Sequence, residues 1–234
     1  MPQISSASER WSVLGFGEGT NRMRDTTGDM DTSDIDTGDI DDDQIDEVDA
    51  ARSREYALLS TLLSRAPDQP LLDRLADLRG DASPLGRAHA AVAEAAGRTS
   101  AGNVQREYFD LFIGLGRGEL LPYGSYYLTG FLLDRPLARL RQDLVRLGIE
   151  RASDHAEPED HAAILCEVMA GLLCRHFPAS PVADRELFER HLSPWVGRFF
   201  ADLEHARAAD FYRRVGALGR TFIDIETEAF ALSS

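Results

Sequence analysis

Lysine is missing from this chain of 234 residues; all 25 basic residues are arginine. That excludes the phosphate loop whose last glycine is followed by Lys and Ser or Thr. The bias reads as one of coding before function. Cysteine is scarce: Cys166 and Cys174 are the only two, too few for a disulfide framework. Eight residues apart on one predicted helix, their Cα atoms would stand ~12 Å from each other, beyond the ~7 Å that a disulfide spans. They are expected to be core thiols in a reducing compartment. No apolar run approaches the ~18 residues of a membrane span. The opening MPQISSASERWSVLGFGEGT has neither the basic start nor the continuous apolar stretch of an export signal. A cytoplasmic protein with no membrane insertion is expected. Net positive charge is lacking too: the formal charge is −15, which argues against a nucleic-acid partner.

The usual marks of catalysis are also missing. The six histidines, His89, His155, His161, His176, His191 and His205, are scattered, with no H-E-x-x-H, and no C-x-x-C spacing or G-x-S-x-G elbow occurs. No metal site and no cofactor are expected. GLGRGE at 114–119 has a faint look of a phosphate-cradling loop, but it follows a helix rather than a strand, and a helix-ending turn accounts for it. A weak nucleotide hydrolase using that turn, and a regulatory or scaffolding helical module, remain as alternative functions.

What is present divides in two. Residues 1–49 hold most of the acidity and few apolar residues, and are expected to form a disordered acidic arm. From Ala50 the spacing becomes helical. Tyr56, Leu59, Leu62 and Leu63 share a face of a first helix capped by Asp49 and stopped at Ala66-Pro67. PLLDRLADL is a second helix, and Ser83-Pro84 opens a third that ends at Gly97. NVQREYFDLFIGL is a fourth, with Val104, Tyr108, Leu111 and Phe112 on one side. Residues 116–130 have no clean period and read as an ordered loop. A fifth helix runs from its Asp134 cap to Gly148, burying Leu137, Leu140, Leu144 and Leu147. After a linker at 151–160, a sixth starts at Pro158; DRELFERHL is a seventh, an eighth opens at a Ser193 cap, and a ninth covers 210–232. No strand alternation appears. The expected fold is all-α: a bundle-like domain of eight to nine helices in two halves, 50–152 and 153–234.

Two segments stand out. Pro122-Tyr123-Gly124-Ser125-Tyr126-Tyr127 offers flat, rigid contact area with polar tips, suited to peptide recognition or to packing between helices. In Glu157-Pro158-Glu159-Asp160-His161, proline at the first helical position and early carboxylates suit a helix start, but a histidine cation does not.

With Glu107-Tyr108-Phe109-Asp110-Leu111-Phe112 and Gly114 before it, the tyrosine segment resembles the first signature of the TorD/DmsD family, and Glu157–His161 resembles its second, E-P-x-D-H. The likeness covers about residues 50–234. It implies a cytoplasmic all-helical chaperone that binds the twin-arginine signal peptide and apo-catalytic subunit of an exported molybdenum oxidoreductase. Such a chaperone aids cofactor insertion and delays export. The look of PYGSYYLTGF suggests a formate dehydrogenase as client. Carried over by position, the implied client-binding residues are Tyr108, Leu111, Phe112, Pro122, Tyr123, Ser125, Tyr127, Asp160 and His161. The implied hinge is Glu157-Pro158, and the implied state a monomer or domain-swapped dimer. Gly124 stands where the family often has an acidic residue, so Asp160, Glu159 or Glu119 would have to meet the client's arginines. An apolar groove would take the segment that follows them.

Overall fold

The structure, a computed structural model, describes residues 46–149, 157–177 and 179–232. Most of the expected acidic arm and linker lies outside the described residues. Among the described residues ten α-helices follow one another: α1 (Glu47–Ser64), α2 (Gln69–Ala76), α3 (Pro84–Arg98), α4 (Ala101–Tyr108), α5 (Gly124–Thr129), α6 (Arg135–Arg146), α7 (Ala162–Leu173), α8 (Ala183–Leu187), α9 (Val196–His205) and α10 (Phe211–Leu232). A wide π turn extends α4 over Phe109–Ile113 and another extends α8 over Phe188–Leu192. The all-α expectation holds, with one helix more than foreseen.

Local chemistry explains most helix starts. Asp68, Ser83, Ser100 and Asp134 each accept a backbone N–H from the first turn of the helix they precede. Four expected boundaries move. α1 begins at Glu47, not Ala50, because Asp46 caps it through Val48 N, leaving Glu47 and Asp49 in the first turn where the helix dipole favours them. The expected loop 116–130 contains α5. The sixth expected helix starts at Ala162 rather than Pro158, with His161 as its cap. The eighth starts at Val196: Ser193 closes the preceding π turn, its N–H bonding Phe188 O at 2.8 Å, and Trp195 takes the cap position.

Helix α7 is apolar apart from Glu167, is mostly buried, and packs against α1. Helix α10 packs on α9 and α3, and α3 on α2. Residues from before and after position 153 share one core, which holds the expected face of α1 together with Leu165, Met169, Phe199, Phe200, Tyr212 and Phe222. The α9–α10 approach is close enough to need glycine: a Cβ on Gly219 would stand 2.2 Å from the Phe200 ring. Glu226 of α10 is buried and held by Arg52 of α1 through two 2.8 Å bonds and by the Tyr56 hydroxyl at 2.9 Å. Cys166 and Cys174 are free thiols, the first buried and the second beside the Ser53 hydroxyl.

Candidate functional site

The two motif segments lie against each other. Tyr123 and His161 form an antiparallel bridge. On either side of it, Gly124 N donates to Asp160 O at 2.9 Å and Ala162 N to Pro122 O at 2.8 Å. Asp160 Oδ2 accepts the N–H of Ser125 at 2.7 Å, so a residue from the second motif caps the helix that carries the first. Gly124 packs against Trp195: a Cβ there would stand 3.0 Å from the indole nitrogen, a tight contact.

His161 caps α7. Its Nδ1 accepts Ala163 N–H at 3.1 Å, which places the ring proton on Nε2 and leaves the imidazole neutral. Burial drives its pKa down to about 4, against the opposing pull of Glu157 and Asp160. A neutral cap removes the conflict between a histidine cation and a helix N-terminus. Its ring meets Tyr123 edge-on at 5.0 Å, and the Tyr123 hydroxyl donates to Glu157 Oε2 at 2.5 Å. Burial, reinforced by Glu157, raises the Tyr123 pKa well above the phenol range.

A groove of about 620 Å³ opens in front of this bridge. One wall is α4 and its π turn, with Tyr108, Phe109, Phe112 and Ile113; the other is Pro122, Tyr123, Glu157 and His161, and the α1–α2 connection with Arg65 and Asp68 closes one end. The π turn shapes the first wall. Its extra residue per turn sends Leu111 into the core and leaves Phe109 and Ile113 exposed. Behind it Tyr108, Phe112 and Tyr212 form an aromatic cluster with ring centres 5.0–5.9 Å apart, and the Tyr108 hydroxyl bonds Leu63 O at 3.2 Å. Desolvation pushes the Tyr108 pKa up to about 12.

Of the residues singled out from the sequence, the groove brings together Tyr108, Phe112, Pro122, Tyr123, His161 and Glu157. Four others lie elsewhere. Leu111 is fully buried in the core, and Ser125 of α5 is buried together with Asp160, which caps that helix. Tyr127 stacks on Trp195 at 5.5 Å and donates to Asp202 at 3.0 Å. Pro158 O accepts His161 N–H at 3.1 Å, shaping the turn into the cap. The carboxylates expected to meet arginines are engaged within the fold: Asp160 at α5, Glu159 with Arg141 at 2.8 Å, and Glu119 with the N–H groups of Arg207 and Ala208. Glu107 likewise accepts the N–H groups of Asp210, Phe211 and Tyr212 at the start of α10. Glu157, assigned to a hinge, and Asp68 are the exposed carboxylates at the groove. Phe109, Ile113 and Asp68 were missed. The first two fall off the helical face of α4, and only the π turn aims them at the groove.

The GLGRGE turn is explained by close packing. Gly114 has φ +62, and a Cβ on Gly118 would stand 2.5–2.7 Å from the backbone of Leu111 and Phe112. Among the described residues no cluster of metal-ligating side chains occurs, and no helix is long and apolar enough to cross a membrane.

The sequence and the fold have relatives. The chaperone protein TorD of Shewanella loihica is 25% identical over 202 residues, covering 76% of this chain and 92% of that protein. The Shewanella pealeana chaperone is 27% identical over 203 residues, covering 77% and 90%. The TorD of Vibrio atlanticus is 26% identical over 135 residues, and the match spans only 63% of its length, as it does for Aliivibrio fischeri. In fold, the chain is similar to a redox enzyme maturation protein from Archaeoglobus fulgidus, with a TM-score of 0.52 at 19% identity, over 74% of this chain and 93% of that one. The profile of the nitrate reductase delta subunit family matches residues 78–201, a stretch that contains both motifs. The chain belongs to the nitrate reductase delta subunit family, the TorD-like group to which its two motifs pointed.

Proposed function

We propose that this chain is a cytoplasmic maturation chaperone for a molybdenum oxidoreductase exported by the twin-arginine route, and that the groove at the Tyr123–His161 bridge receives the signal peptide of the apo-catalytic subunit. The observation that carries this reading is the convergence of both motifs on one groove that is aromatic and apolar inside and has carboxylates at its edge. Phe109, Phe112 and Ile113 offer apolar area to the helical segment of a leader. Glu157 and Asp68 offer carboxylates to its guanidinium groups, which prefer planar, paired acceptors. The chaperone names of the relatives support the same role. Holding the leader occupied would delay export while cofactor is inserted into the client, a formate dehydrogenase by the look of the tyrosine segment. Glu157-Pro158 would be the hinge that lets the groove widen.

Titration of the full chain with a twin-arginine leader peptide tests this reading. Binding at tens of micromolar or tighter, weakened when both arginines become lysine, supports it. No binding, or equal binding of a scrambled peptide, overturns it.

A further inference from the structure

A second concavity, of about 660 Å³, shares no residue with the groove and lies between α5, α6 and the π turn after α8. Its charge is opposite to that of the chain. Arg135, Arg139 and Arg146 of α6 and Arg190 of the π turn line it against two carboxylates, Asp143 and Asp160, in a protein whose formal charge is −15. Asp160 is buried and held by Ser125 N. Asp143 is shared among Arg146, Arg190 and His191, which leaves that corner cationic. Arg135 stands next to Asp134, the cap of α6, and Arg139 makes no ion pair among the described residues. The side chains of Arg146 and Arg190 are 67% and 54% exposed.

An apolar loop adjoins these arginines. Leu128 and Thr129 line the concavity, as does Arg135, and the chain between them exposes Phe131 by 72% and Leu133 by 67%. Leu133 has φ +60, a left-handed conformation that a leucine adopts only under strain. Strained backbone that presents apolar side chains to water, with no packing in return, marks a surface built for contact.

We infer that this face docks an acidic, amphipathic segment of a partner protein, with its carboxylates on the arginines and its apolar side on Phe131 and Leu133. Arg135 to Arg146 spans ~16 Å of helix. The guanidinium groups are therefore strung along a line, as a segment with several carboxylates requires, rather than gathered round one phosphate. A basic leader is repelled here, so the inference stands apart from the groove and its occupant.

The test is fluorescence anisotropy with the full chain and a labelled amphipathic Leu/Glu helical peptide long enough to reach from Arg135 to Arg146, beside its Leu/Gln counterpart. The Glu peptide should bind about tenfold tighter than the Gln peptide, and its affinity should fall several-fold between about 50 and about 200 mM salt. Arg135→Gln with Arg139→Gln, and separately Phe131→Ser, should each weaken it about tenfold while leaving the titration with a twin-arginine leader unchanged. No binding of the Glu peptide at about 1 mM, equal binding of the Gln peptide, or indifference to the arginine changes would overturn the inference. So would pyrophosphate binding as tightly as the peptide, which would make this a small-anion pocket.

Discussion

Asp160 accepts the backbone N–H of Ser125 at 2.7 Å, capping a helix that begins 36 residues before it in the chain. The Ser125 hydroxyl itself makes no hydrogen bond among the described residues. The two side chains should therefore respond differently to truncation. Asp160→Ala should cost about 1–2 kcal/mol, the range of a lost cap, read from the urea midpoint. Ser125→Ala should change stability by less than about 0.5 kcal/mol, since it removes no bond. The reverse order would mean that Ser125 holds a partner in solution.

Acid should act on the fold through His161. Its pKa is about 4 in the folded chain against an ordinary 6.5. Between these values the unfolded state binds the proton more readily, so stability is full above about pH 6.5 and falls as pH drops toward 4, by up to about 3 kcal/mol. His161→Asn, which keeps a cap acceptor, should flatten that part of the curve in urea titrations across pH. His89, raised by its bond to Glu55, contributes in the opposite sense, its stabilisation present below its ordinary pKa and lost as pH rises. An unchanged slope in His161→Asn would show that His161 is protonated in the native state.

Glu226 is 1% exposed and depends on Arg52. Arg52→Met should cost about 3–5 kcal/mol, because it leaves a buried carboxylate unpaired. Adding Glu226→Gln should restore part of that loss. Thermal unfolding of the two single variants and the double variant closes the cycle, and strictly additive effects would show that the pair is not coupled.

Gly219→Ala should destabilise by about 1–3 kcal/mol despite the better helix propensity of alanine, since its Cβ would stand 2.2 Å from the Phe200 ring. The melting temperature reports it. The double variant with Phe200→Leu should recover stability if the ring is the obstacle.

Ile113 is 54% exposed at the groove wall. Ile113→Asp should leave the unfolding midpoint within about 0.5 kcal/mol of wild type and weaken a twin-arginine leader about tenfold. Glu157→Gln should weaken the arginine leader more than a lysine one. Isothermal titration measures both effects.

The sequence by itself determined the elements whose causes are local. Ser83 and Asp134 stand next to the helices they cap, and the faces of α1 and α6 follow from the spacing of Leu59, Leu62 and Leu63, and of Leu137, Leu140 and Leu144, all buried, with Leu147 half-buried at the end of α6. The motif residues were legible as residue types, and so was their link to a family. Tertiary structure alone decided what depends on distant chain. Helix α5 was hidden because its cap, Asp160, arrives from the second motif. The neutrality of His161 comes from burial, which spacing does not reveal. Glu107 and Glu119 look like surface carboxylates in sequence but hold N–H groups of Tyr212 and Ala208, about a hundred residues away, at 2.6 and 3.1 Å. The groove combines both cases: six of its residues were named in advance, but Phe109 and Ile113 join them only because the π turn, with Leu111 in the core, leaves them exposed.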